Sequence, residues 1–241
     1  MLLSWVSIFF VFSIGSLVAD VHNTQVLFEQ CSKPVLISFA RCVKMVSRSQ
    51  KKRTPRASDS MTRGEVFLDT ETTGLHNDDE ILEIAIVGSD GSVLINTRVK
   101  PTCKKAWPEA EAIHGISPAD VANAPTWDQV VEQVKATLAG KRVVIFNARF
   151  DESMLVRSCR ACGIDYGWVA EIESCCAMRE AADFYGATNK YGTISLINAA
   201  LRAGVEFQGA AHSALADTLA TRDVFLKIME QRARGVNRWK H

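Results

Sequence analysis

Two carboxylates stand two residues apart at the end of a short apolar run, because Asp69 and Glu71 close the stretch EVFLDTE that begins at Glu65. In a β-strand this spacing points both side chains to one face, where two anions repel each other unless a cation or a proton compensates them. The turn that follows, Thr72-Thr73-Gly74-Leu75, is polar and contains glycine, which brings backbone N–H groups near the carboxylates. A solvated strand end is the commoner explanation of a single Asp-x-Glu pair. The metal-site hypothesis therefore needs support from elsewhere in the chain.

A third carboxylate, Asp151, follows a second apolar run, 142–146, in the segment Asn147-Ala148-Arg149-Phe150-Asp151. Open α/β sheets bind ligands at the carboxyl ends of their strands, and this segment lies there if 142–146 is a strand. A helix N-cap explains Asp151 by itself equally well. The segment agrees with a ligand site without establishing one.

His212 and Asp217 are five residues apart near the end of the chain. On one helix they would be rotated about 140° from each other. We therefore predict that Ser213 is the N-cap, with His212 in the preceding loop and Asp217 in the first turns. Asp217 then continues an apolar stripe that faces the sheet, formed by Ala220, Val224 and Ile228. A carboxylate on that stripe needs a partner, and a cation in the cleft is the natural candidate.

Apolar periodicity predicts the elements that position these residues. Strands are predicted at 65–70, 81–87, 93–99 and 142–146, with a hairpin between the second and third at Ser89-Asp90-Gly91-Ser92. Helices are predicted over residues 127–138, 151–162 and 195–203, and from Ser213 to about Arg232. Strands followed by alternating helices and a further strand indicate a mixed α/β sheet with helices on its faces.

Charge is unevenly distributed along the 241 residues. Residues 1–60 contain eight basic and three acidic residues, whereas the whole chain carries a net charge of +1, so the rest of the chain is net acidic. A broad positive field therefore does not hold a polyanion on the folded part. If this part binds nucleic acid, bound cations or local basic groups must neutralise the phosphates.

The first 60 residues form an extension that is hydrophobic and then basic. Residues 1–19 carry no charge and are typical of a signal peptide or a membrane anchor. The run SRSQKKRTPRASDS before Met61 is typical of a disordered linker. We predict a domain over 61–234 and a tail over 235–241. The protein is expected in the cytoplasm if translation starts at Met61, and exported or membrane-anchored if the hydrophobic segment is translated. The seven cysteines show no regular disulfide spacing, which favours thiols. Cys159 and Cys162 form a lone C-x-x-C, so a zinc site is an alternative, although no His or further Cys pair completes a standard pattern.

As a set, these motifs resemble the DEDDh exonucleases, the DnaQ-like branch of the ribonuclease H-like superfamily. The motifs are D-x-E on the first strand, N-A-x-F-D after a later strand and H-x4-D at the start of the last helix. Ile113-His114-Gly115-Ile116 and Cys176-Ala177-Met178 are also similar to segments of that family. The resemblance covers about residues 64–229. It implies a ribonuclease H-like, mixed five-stranded sheet with one antiparallel strand and helices on both faces.

The resemblance also implies a mechanism. Two Mg²⁺ or Mn²⁺ ions would be held by four carboxylates, those of Asp69, Glu71, Asp151 and Asp217, and His212 would take the proton from the attacking water. Oxygen ligands of this kind are those that hard divalent cations require. The residues that match substrate-contacting positions are Thr72, Leu75, Ile113, Asn147 and Phe150. Ordinary core packing is the alternative for Leu75, Ile113 and Phe150, and His114 is expected to be structural.

The expected function is removal of nucleotides from a single-stranded 3′ end with release of nucleoside 5′-monophosphates. DNA is the favoured substrate, in proofreading or repair. Because the chain ends at His241, soon after the last helix, we do not expect a stable polymerase complex. An RNA exonuclease or oligoribonuclease uses the same five residues and remains an alternative. A non-catalytic nucleic-acid-binding module is a further alternative, although the intact acidic set and His212 argue against it. The oligomeric state is left open.

Overall fold

A five-stranded mixed sheet forms the centre of the domain. The computed structural model describes residues 64–207 and 212–236, so the predicted extension (1–60) and most of the tail lie outside the described residues. The strands are β1 (Glu65–Thr72), β2 (Ile81–Gly88), β3 (Val93–Arg98), β4 (Arg142–Ile145) and β5 (Glu173–Cys176). Their order is β3-β2-β1-β4-β5. Because β2 alone runs antiparallel to its neighbours, the predicted topology is confirmed.

Helices cover both faces of the sheet. They are α1 (Pro108–His114), α2 (Trp127–Leu138), α3 (Ala148–Ala161), α4 (Ala177–Tyr185), α5 (Leu196–Ala203) and α6 (Ala214–Ala233). Helices α2 and α3 pack with Val66 and Leu68 in one core, whereas α4, α5 and α6 pack with Phe67 in the other. The alternation of side chains along β1 produces this division. Within the described ranges, no helix has both the length and the apolar character needed to cross a membrane.

The start of the third helix differs from the prediction. The helix was predicted over 151–162, but it begins at Ala148 with Asn147 as its N-cap residue. Asp151 therefore lies within the first turn and is not the N-cap. This leaves its side chain free to face the end of the sheet.

Three elements were not predicted from the sequence. Strand β5 has only four residues, two of them exposed. Helix α1 has seven residues and buries none of them. Helix α4 ends at Gly186 and follows β5 without a loop. Strand β5 and helix α1 give too few apolar repeats to distinguish one period from another, so the tertiary contacts define them.

An aromatic pair fixes the last helix against the central strand. Phe67 of β1 and Phe225 of α6 are fully buried, and their rings meet edge to face with centroids 5.9 Å apart. Burying one such side chain stabilises the fold by about 1.5–3 kcal/mol. The odd-numbered residues of β1 therefore face α6, and Asp69 and Glu71 continue this face.

Candidate active site

Three carboxylates from two elements meet at the end of β1. Asp69 and Glu71 extend from the strand, Asp217 extends from the first turns of α6, and one oxygen of each lies within 4.8 Å of the others. Within residues 64–207 and 212–236 this is the one group of three His, Cys, Asp or Glu side chains with that spacing. The structure thus brings together residues 146 or more positions apart in the sequence.

The electrostatics of this group favour a cation. Burial, reinforced by the charges of Asp217 and Glu83, raises the pKa of Glu71 to about 8. Burial also raises the pKa of Asp69 well above its ordinary range, with Asp151 and Asp217 adding to the effect. For Asp217, burial raises the pKa and the nearby His212 opposes the shift. Without a counter-ion the group takes up protons, and a divalent cation replaces that compensation.

Asp151 reaches the same place from the other face of the sheet. It is 3% exposed, and its Oδ1 accepts a hydrogen bond of 2.8 Å from the Thr70 hydroxyl. Burial raises the pKa of Asp151 to about 7, while the bond from Thr70 opposes the shift. Asp151 is not part of the three-carboxylate group, but it lines the same cavity. Its part in metal binding therefore remains a prediction.

His212 lies in the loop before α6, as predicted. The helix begins at Ala214 after an N-cap at Ser213, whose hydroxyl accepts the Ala216 N–H at 3.3 Å. His212 is exposed and has a φ of 65°, and its backbone donates a hydrogen bond to the Asp217 carboxylate. The left-handed conformation costs a residue other than glycine about 1–2 kcal/mol. Such strain persists where surrounding contacts impose it. His212 lines the same cavity as the carboxylates.

A cavity of about 200 Å³ joins these residues. Asn147 and Phe150, both predicted to contact substrate, line it together with the four carboxylates and His212. Thr70 and two apolar residues, Phe146 and Leu196, also line it and were not predicted as site residues. Leu196 opens α5, and nothing in the sequence distinguishes it from other leucines at the start of a helix.

Leu75 and Ile113 project into solvent. Leu75 is 68% exposed and Ile113 is 62% exposed, which excludes core packing as the explanation of either residue. The loop that carries Leu75 is held by Arg157, whose Nη1 donates to the carbonyl oxygens of Leu75 at 3.2 Å and His76 at 2.5 Å. Leu75 lies on this tethered loop and Ile113 lies on α1, and neither residue lines the cavity. Exposed apolar side chains mark candidate surfaces for a ligand.

Thr72 and His114 support these exposed residues. Thr72 is 7% exposed, and its hydroxyl donates to the Gly74 carbonyl at 2.9 Å, so it shapes the turn before Leu75. Thr72 does not line the cavity, so its contact with substrate remains a prediction. His114 Nδ1 accepts the Ile116 N–H at 3.0 Å, so Nε2, 3.1 Å from the Thr72 carbonyl oxygen, donates to it. Burial lowers the pKa of His114, which agrees with the predicted structural role.

Divalent cations are expected to raise the melting temperature. An ion that binds only the folded state at about a hundred times its dissociation constant adds about 2.7 kcal/mol to the free energy of unfolding. This corresponds to roughly 5–10 °C for a domain of this size. Differential scanning fluorimetry with millimolar Mg²⁺ or Mn²⁺ measures the shift. Asp217→Asn should lose most of it, whereas Asp223→Asn, on the same helix but paired with Arg222, should keep it. An equal shift in both variants would contradict binding at this group.

The metal-free protein is expected to lose stability as the pH rises. Folding raises the pKa of Glu71 from 4.5 to about 8 and that of Asp151 from 3.8 to about 7. Between the ordinary and the raised pKa values, the folded protein binds more protons than the unfolded chain. The stability that these two groups contribute is therefore full at low pH and is lost as the pH rises through their folded-state values. Melting in EDTA at about pH 5 and about pH 8 tests the sign. Glu71→Gln should flatten the dependence, and a melting temperature that rises with pH would contradict it.

The fold and the site agree with the expected resemblance, because acidic residues of the first strand and the last helix adjoin a histidine. The chain belongs to the exonuclease family RNase_T, whose model matches residues 66–225. It is thus an exonuclease that acts on nucleic acid. The fold class and the family resemblance expected from the sequence are both confirmed.

Known relatives agree with this assignment. Uncharacterized exonuclease CP81 of Escherichia phage 186 is 36% identical over 186 residues, which are 75% of this chain and 93% of the relative. Exonuclease X, solved in complex with 5′ overhanging duplex DNA, is 26% identical with a TM-score of 0.54, covering 73% of this chain and 94% of that one. The nuclease domain of 3′hExo, a DEDDh family member bound to rAMP, has a TM-score of 0.59 at 16% identity over 71% of this chain and 94% of its own, which shows a shared fold.

Proposed function

We propose that this protein removes nucleotides one at a time from the 3′ end of a DNA strand and releases nucleoside 5′-monophosphates. One observation carries the proposal: the carboxylates of Asp69, Glu71 and Asp217 converge within 4.8 Å, in a cavity that His212 also lines. Neither a structural metal site nor a simple binding surface needs an exposed imidazole beside three half-buried carboxylates. Phosphodiester hydrolysis uses both.

The donor set fits hard divalent cations, because each of the three converging side chains offers a carboxylate oxygen. Asp69, Glu71 and Asp217 would hold one Mg²⁺ or Mn²⁺, and Asp69 with Asp151 would hold a second. When bound, such ions polarise the phosphate and make water a stronger nucleophile. Thr70 contributes by fixing one oxygen of Asp151, which leaves the other oxygen for the cavity.

His212 is proposed to act as the general base. The water oxygen bonds to the phosphorus of the last nucleotide, and one water proton passes to a ring nitrogen of His212. The bond from that phosphorus to the preceding 3′ oxygen breaks, and this oxygen takes a proton from solvent to become the new 3′ hydroxyl. An imidazole accepts a proton through the ring nitrogen that carries none. Because His212 is exposed, it can return the proton to solvent.

DNA is the favoured substrate because the relative with a solved structure at 26% identity, exonuclease X, was captured on duplex DNA with a 5′ overhang. RNA is the second candidate, supported by the shared fold of 3′hExo in complex with rAMP. Sugar preference depends on side chains close to the terminal ribose. If DNA is the substrate, the proposed role is proofreading or repair.

Digestion of labelled oligonucleotides tests the function. Full-length protein is incubated with single-stranded DNA and RNA of one sequence, each labelled at either the 5′ or the 3′ end, in Mg²⁺ or EDTA. We expect 5′-labelled DNA to shorten in single-nucleotide steps and 3′-labelled DNA to release a labelled mononucleotide first, in Mg²⁺ only. Internal fragments, or release of the 5′ nucleotide first, would contradict the proposed polarity. Faster digestion of RNA would select the second candidate.

Removing the exposed apolar side chains is expected to weaken substrate binding. In the variant Leu75→Ala/Ile113→Ala, KM for a DNA oligonucleotide should rise about tenfold, because about 1.4 kcal/mol of contact with the terminal base is lost. The value of kcat should change little, since neither residue touches the reacting phosphate. Leu201→Ala, which removes a 76% exposed leucine from α5 outside the cavity, is the matched control. A fall in kcat at unchanged KM would argue against contact with the base.

A further inference from the structure

A fifth acidic side chain, Glu83 of β2, borders the carboxylate group. Glu83 is the cross-strand partner of Glu71, so both side chains lie on the same face of the sheet. It is 6% exposed within the strand ILEIAIVG. Burying a charge here, beside three other carboxylates, is costly unless its partners compensate. The contacts of Glu83 identify those partners.

Both oxygens of Glu83 are occupied. Oε2 accepts the backbone N–H of Ala214 at 3.2 Å, and Oε1 lies 3.6 Å from Nε of Arg98 on the neighbouring strand β3. Ala214 is the first residue of α6, where the N–H groups have no partner within the helix. A carboxylate at this end also interacts favourably with the helix dipole. Glu83 thus joins the start of α6 directly to the sheet.

This connection spans the two halves of the site. Asp69 and Glu71 are fixed to the sheet, whereas His212 precedes Ala214 by two residues and Asp217 follows it by three. The Ser213 hydroxyl satisfies the Ala216 N–H within the same turn, so it does not tie the helix to the sheet. Among the described contacts of this turn, the Glu83 hydrogen bond is the one that crosses to β2.

We propose that Glu83 is a positioning residue, which holds the start of α6 against β2 and thereby sets His212 and Asp217 relative to Asp69 and Glu71. Glu83 does not ligate metal in this role, because its oxygens bind Ala214 and Arg98. The inference rests on the proposed nuclease function. It adds a residue that acts through others and does not touch substrate.

Two substitutions of Glu83 distinguish the effect of its hydrogen bond to Ala214 from the effect of its side-chain volume. Glu83→Met fills a similar volume with an apolar side chain and removes both oxygens, whereas Glu83→Gln keeps one oxygen for the Ala214 N–H. Glu65→Gln is the control, since Glu65 is a partly buried acid at the other end of β1 and pairs with Arg142. Amide hydrogen exchange at Ala214, measured by NMR, should accelerate about tenfold or more in Glu83→Met. It should be close to wild type in the Gln variant and the control.

Kinetics test the functional part of the proposal. Loss of a group that orients a catalytic residue typically lowers activity 10–100-fold, so we expect about that fall in kcat for Glu83→Met at nearly unchanged KM. Glu83→Gln should recover to within about threefold of wild type, because the hydrogen bond matters more than the charge. In a His212→Ala background the Met substitution should cost far less, since residues that act as one unit give non-additive effects.

The results that would overturn the positioning role of Glu83 differ from those that would overturn the proposed nuclease function. Unchanged exchange at Ala214 in Glu83→Met, or equal losses of kcat in the Met and Gln variants, would overturn the positioning role. Full additivity with His212→Ala would overturn it as well. If the wild-type protein degrades no nucleic acid while Ala214 still loses protection in Glu83→Met, the proposed function fails and the anchoring of α6 stands.

Discussion

Asp69→Asn is expected to lower the rate of hydrolysis by roughly 10³–10⁵-fold, because Asp69 belongs to the three-carboxylate group and is proposed to bind both cations. The same substitution should raise the melting temperature of the metal-free protein. Burial and the neighbouring charges of Asp151 and Asp217 hold the pKa of Asp69 far above its ordinary range, so the ionised form is destabilising in the folded state. A neutral amide of the same shape removes that conflict.

Two measurements on one variant test this opposition between activity and stability. Single-turnover hydrolysis of a 5′-labelled oligonucleotide gives the rate, and thermal unfolding in EDTA gives the stability at a pH of about 8. Glu65→Gln changes an acid on the same face of the same strand, where it pairs with Arg142, and should leave the rate near that of wild type. Retention of a tenth or more of the wild-type rate by Asp69→Asn would contradict its role as a shared ligand.

His212→Ala is expected to slow hydrolysis about 10²–10⁴-fold, the range in which a positioned general base contributes. The imidazole is absent from the three-carboxylate group, so the affinity for Mn²⁺ should stay nearly intact. Isothermal titration with Mn²⁺ and single-turnover kinetics measure the two quantities separately. This separation distinguishes a base from a metal ligand, because loss of a ligand changes both.

A second substitution at His212 tests whether a changed backbone conformation, and not the loss of the imidazole, slows the Ala variant. His212 has a φ of 65°, a conformation that Asn adopts more readily than Ala. His212→Asn should therefore keep the loop and the N-cap at Ser213 but lack a base of suitable pKa. Both variants should be slow to a similar degree. Wild-type activity in either of them would remove His212 from the mechanism, and slow hydrolysis by the Ala variant alone would point to the loop conformation.

The three-carboxylate group destabilises the metal-free fold, because its members are partly buried and repel one another. The apolar residues of β1 pack into two cores without polar interruption up to Leu68. Beyond Leu68 the same alternation directs Asp69 and Glu71 towards α6. The residue of α6 that lies beside them is Asp217. In β1 the pattern of buried apolar side chains thus breaks off where the strand ends, at Asp69 and Glu71. Breaks of this kind in an otherwise consistent pattern are expected at functional sites.

The sequence by itself determined the local features of this protein. A period of two fixes Asp69 and Glu71 on one face, whatever the rest of the chain does. The incompatible spacing of His212 and Asp217 on one helix required an N-cap between them, and Ser213 is that residue. Long apolar repeats likewise predicted the central strands and α2. These features depend on neighbours within a few residues, so a linear pattern contains them.

Only the tertiary structure decided which distant groups meet. Thr70 binds Asp151 across 81 positions, and Glu83 binds Ala214 across 131, and no periodic pattern relates such pairs. The exposure of Leu75 and Ile113 and the entry of Leu196 into the cavity likewise follow from how loops and helices pack. Side-chain burial and partner choice are properties of the assembled sheet and helices, because they depend on residues that the fold, and not the chain order, makes neighbours.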